Sequence, residues 1–313
     1  MAVSAGLQTG MPMRGGGAAS AGTPASRLNA PHDLSIRVLP REDMGLVLDW
    51  AAQEGWNPGI HDGECFHAAD PDGFLLGERA GTPVSCISVV TYPENFAFLG
   101  FYMVQPAFRG QGYGLKTWLA GMRRLAGYNI GLDGVIAQQR NYIKSGFILA
   151  WRNIRYGGRA AGLPPAGTRA GQLVPLSGVS FSALQAYDRR HFPASRPTFL
   201  SLWMTRPGTT TIALMRDGHI AGYGVIRPCR TGFKIGPLFA DDDEGAEALF
   251  LALAGKAGNA QVFIDPPEPN LAGIRLAERH EFKPVFETAR MYTGPAPEIS
   301  LREVFGMTSF ELG

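Results

Sequence analysis

The sequence predicts an α+β fold built from two related halves in tandem, each a mixed, mostly antiparallel sheet flanked by helices. Three observations carry this expectation. Short apolar or alternating runs, bounded by turn residues, read as strands, and amphipathic stretches with helical spacing follow them. A glycine-rich turn, FRGQGYG, stands between an apolar strand and a helix start. The same order of elements then returns in the second half of the chain.

From Leu34, LSIRVLP alternates as a strand, and REDMGLVLDWAAQEGW follows with acids in a first helical turn. WNPGIHDGECFHAADPDG is a looser helical region, interrupted by Pro58 and Gly59. FLLGERAGTPVSCISVVTY reads as two strands around an Ala-Gly turn, and FAFLGFYMV as a third. The helix LKTWLAGMRRLAG, the strand NIGLDGV and the segment AQQRNYIKSGF complete a first domain at residues 34–156. GGRAAGLPPAGT has linker composition, which assigns residues 157–171 to a connection.

A second domain is expected at residues 172–313. There SGVSFSALQAYDRRHF supplies helices, TIALMRDGHIAGYGVIRP repeats the strand pair across an Asp-Gly turn, and FKIGPLFA takes the place of FLGFYMVQP. DEGAEALFLALAG follows as a helix, and QVFIDPPEPN, LAGIRLAERHEF and KPVFETARMYTG parallel NIGLDG, the YIKSGF helix and ILAWRNIRYGG. Residues 1–33, rich in Ala, Gly and Ser and poor in large apolar groups, are expected to form a disordered tail.

Composition narrows the function classes. With 313 residues there is enough chain for two cores. A formal net charge of +2 creates no large field, so no nucleic acid or other polyanion is an expected partner. No apolar run is long enough to cross a bilayer and no secretory signal stands in order, so a cytoplasmic protein without a membrane partner is expected. Cys65, Cys86 and Cys229 are scattered without metal spacing and are expected to be buried thiols, and no metal is expected.

The glycines at 110, 112 and 114 can turn backbone N–H groups toward a phosphate at a helix start. Three phosphate-binding patterns compete for them. A nucleotide-binding GxxxxGK[ST] loop fails because Leu115 occupies the second glycine position before Lys116 and Thr117. A dinucleotide GxGxxG fails because the third glycine comes one residue early. The pattern [RQ]xxGx[GA] after an apolar strand is met by Arg109, Gly112 and Gly114.

That last pattern, with YxxxGF at Tyr142, Gly146 and Phe147, resembles the GCN5-related N-acetyltransferase (GNAT) superfamily. The order of elements after the tail is similar to the YitH-type tandem group within it. The resemblance implies that acetyl-CoA is held by Arg109, Gly110, Gln111, Gly112, Tyr113 and Gly114, with Tyr102, Met103 and Val104 as the strand end that grips the pantetheine arm. It implies Tyr142 as the acid that protonates the departing thiolate. The family's pantetheine-binding asparagine is not at its usual place, and Asn141 stands beside Tyr142 instead.

Acetyl transfer also needs a route for the amine proton. The central strand FAFLGFYMV carries no carboxylate or histidine, so the candidate bases are Asp62 and Glu64, with His61 and His67 nearby, and Asp133 after NIGL. Each of these acids also reads as a helix cap, a turn residue or a solvated carboxylate. Trp50, Trp56, Phe66, Tyr92 and Tyr102 could line an acceptor pocket or simply fill the core. In the second half Asp241, Asp242, Asp243 and Glu244 precede Gly245, and these acids would repel a pyrophosphate while suiting a helix start. One cofactor site per chain is therefore expected.

The resulting expectation is an acetyl-CoA-dependent N-acetyltransferase that passes acetyl to a small primary amine by direct attack in a ternary complex, and a homodimer is compatible with it. An acyl-CoA-binding sensor or inactive GNAT scaffold is the alternative, favoured by the missing strand carboxylate; a nucleotide-binding domain is a further rival. Gly112→Asp would put a side chain and a negative charge into the phosphate cradle and should abolish acetyl-CoA binding by titration calorimetry. Unchanged affinity would remove the loop from the cofactor site.

Overall fold

The computed structural model describes residues 33–159 and 170–313. The expected tail, apart from Asp33, and the middle of the expected linker lie outside the described residues. The first half consists of β1 (Leu34–Val38), α1 (Met44–Gln53), α2 (Asp62–Ala69), β2 (Phe74–Arg79), β3 (Thr82–Tyr92), β4 (Phe96–Val104), α3 (Tyr113–Arg124), β5 (Asn129–Val135), α4 (Gln139–Lys144) and β6 (Ile148–Arg159). The second consists of β7 (Gln172–Pro175), α5 (Phe181–Asp188), α6 (Pro197–Trp203), β8 (Thr210–Arg216), β9 (His219–Pro228), β10 (Phe233–Ala240), α7 (Asp243–Ala254), β11 (Gln261–Ile264), α8 (Leu271–Arg279), β12 (Lys283–Tyr292) and β13 (Val304–Gly306).

The two halves repeat in detail. The β2–β3 hairpin turns through Ala80 and Gly81, with φ of 48° and 77°, and the β8–β9 hairpin through Asp217 and Gly218, with φ of 49° and 78°. Two successive positive φ angles make the tight turn whose twist matches that of the strands.

All the strands form one sheet in the order β1-β2-β3-β4-β5-β12-β6-β11-β10-β9-β8-β7, with β13 added beside β10. This order differs from a chain of two self-contained sheets. β6 does not close its own half: it pairs antiparallel with β11, from Tyr156↔Ile264 to Arg159↔Gln261. β12 returns the exchange and pairs antiparallel with β5, from Thr288↔Val135 to Tyr292↔Gly131. The exchanged strands also pair with each other. Gly157, Gly158 and Arg159, expected in the linker, are the end of β6, and a Cβ on Gly158 would come within 2.2 Å of the Phe282 ring.

Buried charge fixes this seam. Asp133 on β5 accepts from Arg290 on β12 at 2.9 and 2.6 Å and from Asn153 on β6 at 2.7 Å, so one carboxylate ties three strands. The matching pair in the second half is Arg155 on β6 with Asp265 beyond β11, both contacts at 2.7 Å. The core is likewise shared: Phe66 of α2 lies 6.5 Å from Phe199 and 5.8 Å from Trp203 of α6.

Because each half completes the other, urea should unfold both in one transition. Arg290→Ala leaves Asp133 buried without its partner and should cost about 3–5 kcal/mol, read from the shift of that transition. Two separate transitions in the wild-type protein would contradict the shared seam.

Candidate active site

β4 and β5 pair in parallel from Phe96↔Asn129 to Leu99↔Leu132 and then separate. A β-bulge drives the separation. The β3–β4 register shifts between Cys86 and Ser88, Phe101 is forced to a φ of 44°, and the Cys86 thiol donates to the Phe101 carbonyl at 3.1 Å. The wedge so opened is a cavity of about 490 Å³, lined on one side by residues 99–104 and on the other by Leu132, Asp133, Val135, Ala137 and Gln138. Tyr102, Met103 and Val104 lie along the cavity. Among the described residues no strand pairs with this edge of β4 beyond Leu99.

The glycine loop follows the end of β4, and its Arg109 lines the cavity. Gly110 and Gly112 have φ of 75° and 88°, and Gly112 caps α3 with no side-chain acceptor. The first-turn N–H groups of α3 have no partner within the helix and suit an anion. Gly114 is needed for close approach, since a Cβ there would lie 2.8 Å from the Tyr102 hydroxyl and 3.0 Å from Val104. Three side chains of the loop do other work. Arg109 pairs with Glu54 and donates through Nε to the Val104 carbonyl at 2.9 Å, pinning the loop to the end of β4. Gln111 donates to the Ala107 carbonyl at 2.9 Å. Tyr113 is buried with Leu34 and Val84, so what it can offer a phosphate is its backbone N–H.

Tyr142 on α4 lines the cavity and is buried against Trp118, 5.7 Å between ring centroids. Gly134 makes room for it, because a Cβ there would come 2.6 Å from the tyrosine ring. Burial raises its phenol above the ordinary tyrosine range, with Tyr102 adding to the effect, so Tyr142 keeps its proton at neutral pH. Asn141, by contrast, is exposed and donates to Gln138 at 2.7 Å; Gln138 is the member of that pair that lines the cavity.

The acids expected to act as bases have other occupations. Asp62 is buried outside the cavity, bound by Arg227 at 2.8 and 3.2 Å and by the Gly59 N–H at 2.9 Å. Glu64 is also outside it, paired with Arg41 at 3.1 Å and Arg206 at 2.8 Å. Asp133 does reach the cavity, but both its oxygens are taken by Arg290. His67 packs on Phe74, and no group of residues fit to hold a metal ion occurs among the described residues. Of the aromatic candidates, Trp56 and Tyr102 line the cavity, while Trp50, Phe66 and Tyr92 are core.

One contributor had no signal in the sequence. Residues beyond β13 run back to the first half and supply Phe310 and Glu311 to the cavity, and the Tyr92 hydroxyl donates to the Leu312 carbonyl at 3.3 Å. The contact is close: a Cβ on Gly100 would lie 2.2 Å from the Glu311 carbonyl oxygen. Glu311 is buried, and its Oε2 has no hydrogen-bond partner among the described residues. A short, aperiodic stretch after the last long strand gives no hint of such a position.

The second half contains the same wedge, but filled. β10 and β11 pair in parallel from Phe233↔Val262 to Ile235↔Ile264, and beyond that point β13 pairs with β10 at Leu238↔Gly306 and Phe239↔Val304. At the turn into α7, Asp242 caps the helix by accepting from the Gly245 N–H at 2.8 Å, and it pairs with Arg216. Asp241 accepts from the Tyr187 hydroxyl at 2.9 Å. Where the first half has a helix start without a side-chain cap, the second satisfies the Gly245 N–H with its own carboxylate.

Comparison with known proteins agrees with this geometry. Residues 41–141 match the Acetyltransferase (GNAT) family, and residues 184–306 match the Acetyltransferase (GNAT) domain. The holothin acyltransferase of Pseudoalteromonas sp. (strain SANK 73390) is 31% identical over 279 residues, spanning 87% of this chain and 92% of the relative. The chain belongs to the GNAT family. GNAT enzymes use acyl-CoA as donor, and this acyltransferase carries two GNAT domains. A Pyrococcus horikoshii protein, itself only provisionally assigned as an acetyltransferase, superposes with a TM-score of 0.76 at 22% identity over 90% of this chain and 96% of its own. A tandem GNAT protein from the clavulanic acid biosynthesis pathway superposes with a TM-score of 0.61 at 15% identity, over 84% of this chain and 100% of its own. Both likenesses are of fold, and the second is to a tandem GNAT protein. Among the described residues no helix is long and apolar enough to cross a membrane.

Gly100→Ala would drive a methyl group into the Glu311 carbonyl and displace the segment that closes the GNAT cavity. The expected result is a loss of about 1–3 kcal/mol in urea unfolding, together with faster proteolysis near residue 310. Wild-type stability and protease resistance would mean that the segment does not seat against β4.

Proposed function

We propose that the protein is an acetyl-CoA-dependent N-acetyltransferase whose acceptor is a small primary amine with an apolar body, acetylated by direct attack in a ternary complex. The observation that carries this reading is the open wedge between β4 and β5, a cavity walled by aromatic rings whose Tyr102 and Val104 pack against Gly114 in the first turn of α3, a helix without a side-chain cap. A concave, largely apolar pocket suits a small ligand better than a protein tail. The similarity to the holothin acyltransferase supports a small-molecule acceptor.

Bound acetyl-CoA would supply an activated thioester. The first-turn N–H groups of α3 would hold its pyrophosphate, and the unpaired edge of β4 would align the pantetheine arm, so that much of the acceleration is positional. Tyr142, buried and protonated, would give its phenolic proton to the departing sulfur. Phe101, Phe286, Phe310 and Trp56 would hold the amine's apolar body and keep water from the thioester.

Titration calorimetry with acetyl-CoA and a thiol-release assay over a panel of primary amines test the proposal; stimulated release by a small apolar amine is expected. Tight binding with no release from any amine would make the protein an acyl-CoA sensor instead. Tyr142→Phe should lower kcat by roughly ten- to ten-thousand-fold with little change in acetyl-CoA affinity. A wild-type kcat would reduce Tyr142 to a lining residue.

A further inference from the structure

We propose that Glu311 is the base of the reaction, taking the proton from an acceptor that enters as an ammonium ion among the aromatic rings of the cavity. This rests on the acyltransferase reading above and names the group which that reading leaves open. The position comes first. β4 leaves β5 after Leu99, and the next residue, Gly100, packs directly against the backbone of Glu311. Glu311 therefore stands where the wedge opens, beside the place at which the strand edge would present the thioester.

Elimination supports it. Four acids come near: Glu54 and Asp133 line the cavity with Glu311, and Asp62 lies behind it. Glu54 is held by Arg109, Asp133 by Arg290, and Asp62 by Arg227. The cations facing Glu311 are also engaged. Arg227 on β9 binds Asp62, Arg155 on β6 binds Asp265, and Lys234 on β10 donates to the Asn57 carbonyl at 3.1 Å. Glu311 is left with a buried oxygen, Oε2, that has no hydrogen-bond partner among the described residues.

Lys234, Arg155 and Arg227 act on the charge of Glu311, but Oε2 lacks a hydrogen bond, and an unmet buried acceptor is costly; an amine N–H would supply the missing bond. The nearby rings already accommodate one cation, the Arg155 guanidinium, 4.7 Å from the Phe310 centroid and 5.8 Å from that of Phe286, so this lining is of a kind that suits positive charge. Phe310 and Phe286 line the same space, with centroids 6.3 Å apart. Burial raises the Glu311 carboxyl above the ordinary glutamate value, with Lys234 opposing, which moves it toward the working pH of a base.

The step balances as follows. Glu311 takes one proton from the ammonium, and the freed lone pair forms the N–C bond to the thioester carbon. As the C–S bond breaks, the sulfur leaves with the phenolic proton of Tyr142. The remaining surplus proton of the new amide nitrogen restores Tyr142 by way of solvent, and Glu311 returns its proton to solvent, so each turnover releases one proton.

The test compares wild type with Glu311→Gln, using the amine that wild type turns over best. Glu311→Gln should lower kcat about 100- to 10,000-fold, leave the acetyl-CoA Kd within about twofold, and lose the acidic limb of the pH profile, since the base works only when ionised. Glu311→Asp should retain the acidic limb at a reduced rate. Equal kcat in wild type and a folded Glu311→Gln overturns the proposal and leaves the acyltransferase reading intact. If Glu311→Gln does not fold, a Glu311→Asp protein without the acidic limb overturns it. Acetyl-CoA binding by wild type without transfer to any amine overturns both.

Discussion

Two buried aspartate–arginine pairs set the architecture. In each half the aspartate belongs to the parallel strand or its immediate extension, Asp133 or Asp265, and the arginine sits on the strand lent by the other half, Arg290 or Arg155. Such pairs contribute little net stability, because desolvation offsets most of their attraction. Their effect is on register. A slip of β12 by one residue would turn Arg290 to the opposite face and leave Asp133 ionised and unpaired in the core. The exchange of strands is thereby held to one alignment, and that alignment places Thr288 and Phe286 of β12 along the cavity of the first half.

The repeat is symmetric in its framework and asymmetric in its chemistry. Both halves have a hairpin, a parallel pair and a helix, and both parallel pairs separate after a few residues. In the first half the gap is left open by a bulge at Phe101 and bordered by an uncapped helix start. In the second it is occupied by β13, and the helix start is capped by Asp242. The same run of chain then continues into the first half and lines the open gap with Phe310 and Glu311. One segment both fills one site and shapes the other.

Much of this was legible in the sequence. The glycines of FRGQGYG, the turns at Ala80-Gly81 and Asp217-Gly218, and the acids before Gly245 each have a local physical cause, and local causes are written in adjacent residues. The strand exchange was not, because the residue patterns of β6 and β12 state that they are strands without stating which neighbour they meet. The acids misled for the same reason. Asp62 and Asp133 read as cap or turn residues, yet Arg227 and Arg290, more than 150 positions away, bury them in ion pairs. Arg109 carries a charge that suits a phosphate, but Glu54, distant in sequence, engages it. Glu311 lies in a stretch with neither periodicity nor motif, and only its seat against Gly100 gives it meaning.

The exchanged strands also bear on the order in which the protein is made. β5 ends at Val135, while its partner β12 begins at Lys283, so the first half emerges from synthesis with that sheet edge bare and its charged aspartate uncompensated. An unpaired edge is a template for intermolecular pairing, and non-local strand pairing is slow. Folding one half at a time is closed to this chain. Its open wedge becomes whole only after the second half has been synthesised and has returned a strand to the first.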